Sequence, residues 1–288
     1  DRDSICYQLY RRGKAIQEEG GIAQMRREGF LFKWFESPPE LDWHDPEAWQ
    51  LANPASWIRQ ADLERESLRL PESVFRRLHL NQWTETETAW ISPHEWDNCR
   101  GEVRLDPNKP IIAMGVDVGI KRDSAAVTWG QWHGEQLHIG AEIMKPEEEH
   151  ERFGVADIRA RVAGRARAHS AGVTEIAYDP WNFRESAEIL AEEGLPMVEF
   201  PQNAARMAPA SELLYELISG KRIVHDGNLT LRDQVLAAVI APTDRGGWRI
   251  SKRKSLERID AAVSLAMMAD RAVTLRNVKP INRSVTLY

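Results

Sequence analysis

The sequence predicts an α/β chain: a mixed sheet flanked by helices, preceded by a small, mostly helical segment. Three observations carry this expectation. From Pro110 onward, short runs rich in β-branched residues come first in meander spacing and then alternate with helical patterns. Two of those runs end on an aspartate, as buried central strands do when they deliver an acid to a cleft. The first hundred residues show no such alternation and read as helices punctuated by proline.

Composition sets the frame. The chain has 288 residues, 42% apolar and 28% charged, enough for one large domain or two modest ones. No apolar run approaches the length of a membrane span, and no signal peptide opens the chain. Cys6 and Cys99 form neither a metal-ligand spacing nor a disulfide framework, which fits a reducing, intracellular setting. A formal charge of −6 argues against nonspecific coating of nucleic acid but leaves room for a local basic groove.

The elements follow in order. Ile5, Leu9 and Ile16 mark a first helix that is expected to end at Gly20-Gly21. Leu31-Phe32-Lys33-Trp34-Phe35 reads as a short aromatic strand. Asp45-Pro46-Glu47 opens a helix, with proline at its first position and acid in its first turn, and Asn53-Pro54 breaks it. A further amphipathic helix is expected over about 56–70. Seven of the eleven tryptophans lie between Trp34 and Trp96 in a stretch that is mostly acidic near its end, so they read as packing residues rather than stacking platforms for single strands. Gly13-Lys14 lacks the earlier glycine and the following Ser or Thr of a phosphate-binding loop, so residues 1–107 are not expected to turn over ATP.

In the second half, three strands are expected at about 111–118, 124–132 and 136–143. A helix at about 155–169 follows, then the strand Thr174–Asp179, a helix at 182–193 and the strand Met197–Phe200. Next come a helix at 211–219, the segment Arg222–His225, a helix at 229–239, and a hairpin with Gly246-Gly247 at its tip before Trp248-Arg249-Ile250. A long final helix covers about 256–273, with Leu256, Ile259, Val263, Ala266 and Met267 on its buried face.

Three acids stand out. The apolar run Ile111–Val116 leads into Asp117, Asp179 ends the next parallel candidate, and Asp260 lies at the edge of the buried face of the last helix. A buried carboxylate is costly unless paired, and a divalent cation is a common partner. Three carboxylates from separate elements suit two divalent cations straddling a phosphodiester. Asp123, six residues past Asp117, is expected one layer out, at the cleft mouth or in a salt bridge. Lys252, Arg253 and Lys254 are candidates for backbone-phosphate contacts. Tyr178 and Trp181, flanking Asp179, are expected as cleft walls. His225 has no paired ligand and reads as a core or surface histidine, and no nucleophilic triad is visible.

These residues resemble a known family. Gly115-Val116-Asp117-Val118-Gly119 with Asp123 downstream, Tyr178-Asp179-Pro180-Trp181, and Arg258-Ile259-Asp260-Ala261-Ala262 are similar to the C-terminal nuclease domain of tailed-phage terminase large subunits. Asp45–Trp49 with Asn53-Pro54, Leu80–Trp83 and Trp90-Ile91 resemble the segments that join that family's ATPase domain to its nuclease. The resemblance implies a ribonuclease-H-like fold and an endonuclease that cuts double-stranded concatemeric DNA during genome packaging. It implies Asp117, Asp179 and Asp260 as catalytic metal ligands for Mg2+ or Mn2+, two ions per site. Portal protein and small terminase subunit are the implied partners, and the bacterial host cytoplasm, at the procapsid vertex, the implied location. Residues 1–57 would then be the trailing part of the ATPase domain, 58–107 a linker, 108–276 the nuclease and 277–288 a tail. With neither Walker motif present, the chain reads as a fragment of such a protein. Two other readings compete: a resolvase- or transposase-type nuclease of the same fold, and a non-catalytic module that docks the portal or small subunit.

Overall fold

The structure is a computed structural model and describes residues 5–83, 89–119, 124–145, 154–243, 247–251 and 258–277. The chain divides into two compact units, Asp1–Thr88 and Ala89–Tyr288.

The first unit is helical. Helix α1 (Ile5–Arg27) is two helical stretches: the first ends at Gly20-Gly21 as expected, where Gly21 takes the non-helical φ 55° and ψ −132°, and a second runs on to Arg27. Helix α2 (Pro46–Ala52) starts as expected, with the Asp45 side chain accepting from the Glu47 amide and Pro46 at the first position. Helix α3 (Gln60–Arg69) begins later than its pattern suggested, because the Ile58 amide bonds back to the Ala55 carbonyl in a turn and Arg59 is extended. Helix α4 (Glu72–His79) follows. Ala48, Trp49, Ala52, Leu63, Phe75 and Leu80 form the core of this unit. The expected strand Leu31–Phe35 is not a strand. No ladder partner is present among the described residues; the Asn81 side chain donates to the Phe35 carbonyl, and Trp34 packs against Tyr10 and Trp83.

The second unit is a three-layer α/β/α arrangement. After helix α5 (Pro93–Asp97), strands β1 (Ala113–Val118), β2 (Ala125–His133) and β3 (Gln136–Met144) form an antiparallel meander. Then come α6 (Val155–Ala168), β4 (Ile176–Tyr178), α7 (Pro180–Glu192), β5 (Met197–Glu199), α8 (Ala204–Ser219), β6 (Ile223–Val224) and α9 (Leu229–Ala237). The hairpin β7 (Val239–Pro242) and β8 (Trp248–Ser251) and helix α10 (Asp260–Asn277) complete the described chain. The six-stranded sheet has the order β5-β4-β1-β2-β3-β6, with β4 parallel to β1, β5 parallel to β4, and β6 parallel to β3. This is the expected mixed sheet flanked by helices.

Strand alternation sorts the two faces. Met114, Val116, Val118, Ile176 and Tyr178 join Ile158, Val162, Phe183 and Leu190 in the core under α6 and α7. Gly115 points the other way, under α10. That helix packs across β1 and β2, and nearly all of its first three turns is buried. The Ser264 hydroxyl donates to the Gly115 carbonyl at 2.9 Å and contacts the Thr128 hydroxyl at 2.9 Å. Its single proton is committed to the carbonyl, so Thr128 donates to Ser264. Arg271 clamps Glu175, just before β4, in a two-pronged ion pair that is mostly buried.

Several helix boundaries moved in this unit, and α7 starts at Pro180 rather than 182. Helix α8 starts at Ala204 rather than 211, with Pro209 inside it; the Asn203 side chain caps it by accepting from the Arg206 amide. The proline costs little there, because the carbonyl it leaves without an amide belongs to exposed Ala205 near the helix start. Helix α9 ends at Ala237, since Val239 pairs with Ser251 in the hairpin. Helix α10 is described from Asp260, with Arg258 and Ile259 outside it; Leu256, expected in it, lies outside the described residues. The hairpin read from Gly246-Gly247 is present, closed by the Thr243 amide donating to the Gly247 carbonyl, while residues 244–246 lie outside the described set.

Candidate active site

Two of the three predicted acids come from neighbouring parallel strands. Val116 is in register with Tyr178, so Asp117 and Asp179 stand one step further along β1 and beyond β4, at the carboxyl ends of both strands. Alternation turns Asp117 to the face of Gly115, and Asp179 to that of Ala177, the face α10 covers on β1. Asp117 is 2% exposed, and its Oδ1 accepts from Gln202 Nε2 at 2.7 Å. The end of β1 is fixed from the side: Asn182 Nδ2 donates to the Val118 carbonyl at 3.0 Å.

Asp179 is half-buried and caps α7, with Pro180 at the first helical position and the Trp181 amide 3.5 Å from its Oδ1. A negative charge suits that place, because the first amides of a helix have no internal partners.

Asp260 is the first residue of α10 and 1% exposed, not the second-turn edge position that the sequence pattern suggested. An aspartate there is favoured by the helix dipole. Its Oδ2 accepts from the Ser124 hydroxyl. Ser124 lies just before β2, and its carbonyl accepts from the Gly119 amide two residues past Asp117. Gln234 of α9 completes this corner: its Nε2 is 3.1 Å from Ser124 Oγ, and its Oε1 accepts from the Ala261 amide at 2.8 Å.

The structure thus gathers Asp117, Asp179 and Asp260 at one end of one sheet. It does not bring three side chains to common ligand distance: among the described residues, no group of three or more His, Cys, Asp or Glu could hold one ion. The donors nevertheless fit a hard cation. Mg2+ takes oxygen ligands and is ordinarily held by one or two carboxylates plus waters, not by an all-protein cage. Asp123 and Lys252, Arg253 and Lys254 lie outside the described residues.

Tyr178 is not a cleft wall. It faces away from Asp179 into the core, edge-on to Phe183, and burial holds its phenol above the usual range. Trp181 is 87% exposed. His225 is a core histidine. Its ring stacks on Trp96 at 4.2 Å, Nε2 donates to the Trp96 carbonyl, and Nδ1 accepts from the Gly227 amide, which fixes the tautomer. Trp49, Trp90 and Trp96 are buried packing residues, as expected, whereas Trp57 is 80% exposed.

Sequence reasoning missed Gln202, Gln234 and the role of Ser124. Gln202 sits in a loop with no periodic signal. Gln234 did carry one: it is a polar residue on the same helical face as Leu231 and Val235, both buried.

Comparison with known proteins agrees with this architecture. Residues 154–275 match the family model described as "Terminase large subunit, endonuclease domain". The large terminase subunit of Enterobacteria phage HK97 is 27% identical over 273 residues, covering 81% of this chain and 52% of that protein. The chain is similar to terminase large subunits. The matched model spans Asp179 and Asp260, while Asp117 precedes it. The gene 13 protein of Mycobacterium phage L5 is 28% identical over 235 residues, covering 73% of this chain and 39% of its own. The chain therefore spans about half, or less, of the length of these relatives. Two solved structures share the fold. The HK97 large terminase superposes with a TM-score of 0.56 at 23% identity, covering 86% of this chain and 59% of that one. The large terminase of a thermophilic bacteriophage does so with a TM-score of 0.56 at 11% identity, covering 89% and 57%.

Proposed function

We propose that the protein is a metal-dependent endonuclease that cuts double-stranded concatemeric DNA during phage genome packaging. One observation carries this reading. Two nearly buried carboxylates, Asp117 and Asp260, face the same side of the sheet at the end where Asp179 caps α7. Burying like charges together is unfavourable unless a cation serves them. Asp117, Asp179 and Asp260 would hold Mg2+ or Mn2+, as two ions. When bound, such ions activate water and neutralise charge building on the phosphate oxygens. The chain's own part is to orient the carboxylates. Gln202 fixes one oxygen of Asp117, and Ser124 one oxygen of Asp260, which sets the direction in which each acid is presented. Asp123 would act one layer out, and Lys252, Arg253 and Lys254 would meet backbone phosphates.

In this reading residues 1–57 are the trailing part of an ATPase domain, 58–107 a linker, 108–276 the nuclease and 277–288 a tail. The partners are duplex DNA, the portal and the small terminase subunit, in the host cytoplasm. Among the described residues no helix is long and apolar enough to cross a membrane.

The test is cleavage of supercoiled plasmid with Mn2+. Asp117→Ala and Asp260→Asn should abolish cutting while far-UV circular dichroism and the melting midpoint stay near wild type, and a chelator should do the same to wild type. Products should carry 5′ phosphates and 3′ hydroxyls. Undiminished cutting in chelator, or protein left covalently on a DNA end, would rule the proposal out.

A further inference from the structure

We propose that Gln234, acting through Ser124, is a positioning residue that sets the orientation of the Asp260 carboxylate. This rests on the reading of Asp260 as a ligand of a divalent cation. The argument is one of hydrogen-bond direction. The Ala261 amide can only donate, so the Gln234 oxygen must face it. The same side chain then turns its NH2 group, which can only donate, toward Ser124 Oγ. Ser124 accepts that bond, and its one proton is left for Asp260 Oδ2. The relay therefore runs one way, from the first turn of α10 through α9 and the start of β2, and back to the first residue of α10.

All three side chains are buried: Ser124 at 0%, Gln234 at 5% and Asp260 at 1%. Each polar atom in such a site must be satisfied, so the arrangement tolerates few alternatives. Its consequence is that Oδ2 of Asp260 is spoken for by a hydroxyl, and the carboxylate plane is fixed relative to β2. Outer partners of this kind typically change metal affinity 10–100-fold when removed. A glutamine that merely braced α9 against α10 would affect stability without a matching change in metal affinity.

The experiment measures Mn2+ affinity of the full chain by calorimetry, with melting curves recorded on the same samples. Ser124→Ala should weaken Mn2+ binding about 10-fold or more. Gln234→Met should also weaken it. The double variant should bind no more weakly than Ser124→Ala alone, because one residue acts through the other. Ser124→Thr, which keeps the hydroxyl, should stay close to wild type. Wild-type affinity in Ser124→Ala overturns the proposal, as does a double variant that loses the product of the two single effects. The underlying metal reading fails in a different way: wild type takes up no Mn2+, or Asp260→Asn binds it as tightly as wild type does. Either outcome removes the positioning role as well.

Discussion

At the scale of single residues, the acids are less informative than the amides and hydroxyls that hold them. Asp117 is nearly sealed from solvent, yet the group that orients it, Gln202, comes from the loop between β5 and α8. That loop belongs to neither strand that carries the acids. Because Gln202 is only half-buried and makes its described side-chain bond to Asp117, its role is to aim a carboxylate more than to support the fold. Gln202→Ala should lower the rate of Mn2+-dependent plasmid cleavage by about 10–100-fold, with little change in melting midpoint. Gln202→Glu should be at least as harmful, since it sets a like charge beside Asp117. Steady-state cleavage rates decide this, and an alanine variant that cuts at the wild-type rate would sink the idea. His225 shows the opposite case. It is buried, titratable and unrelated to the acids, a polar spacer with both ring nitrogens bonded, stacked on Trp96.

At the scale of elements, the site depends on how closely α10 approaches β1. Gly115 makes that approach possible: a Cβ there would sit 2.2 Å from the Ser264 carbonyl oxygen and 3.0 Å from Thr128 Oγ1. The carbonyl is helix backbone, so the helix itself would have to shift. Gly115→Ala should destabilise the second unit by about 1–3 kcal/mol through overpacking. Because α10 carries Asp260 at its start, the same variant should weaken Mn2+ binding. Urea denaturation with an unchanged midpoint would refute the packing argument. What was readable in the sequence divides along the same line. The strands that deliver Asp117 and Asp179 were legible, because a buried strand announces itself as an apolar run and the acid breaks it. The start of α10 at Asp260 was not. Ile259 fits the helical period as well as Val263 does, and nothing local says where the turns begin. The strand read at Leu31–Phe35 failed for want of a neighbour: β-propensity describes a side chain's fit to a sheet, and the described residues of that unit form none. The relay through Ser124 and Gln234 joins residues 110 and 136 positions apart in sequence, a juxtaposition no local pattern encodes.

At the scale of the molecule, burial of histidine sets the response to acid. Desolvation lowers the affinity of His79, His138 and His225 for a proton below that of a free imidazole. In the unfolded chain each recovers its ordinary value of about 6.5. Below that pH the unfolded state binds more protons than the folded one, so stability rises with pH there and falls on acidification. Carboxylates held down by their partners, such as Asp97 beside Arg232, add loss of the same sign at lower pH still. The urea midpoint should therefore be lower at pH 5.5 than at pH 7.5, and His225→Asn should reduce that dependence by the share owed to His225, leaving the share owed to His138. A midpoint that does not move between those pH values would contradict this. One feature of the second unit bears also on how the protein is made. Helix α10, which roofs β1 and β2, lies later in the chain than every strand of the described sheet. A ribosome delivers all of those strands before their roof exists, so one face of the sheet must wait, uncovered, until translation has passed α10. The nascent chain meanwhile carries Asp117 and Asp179 without Asp260, and the three acids come to stand at one sheet end only when translation has passed the last of them.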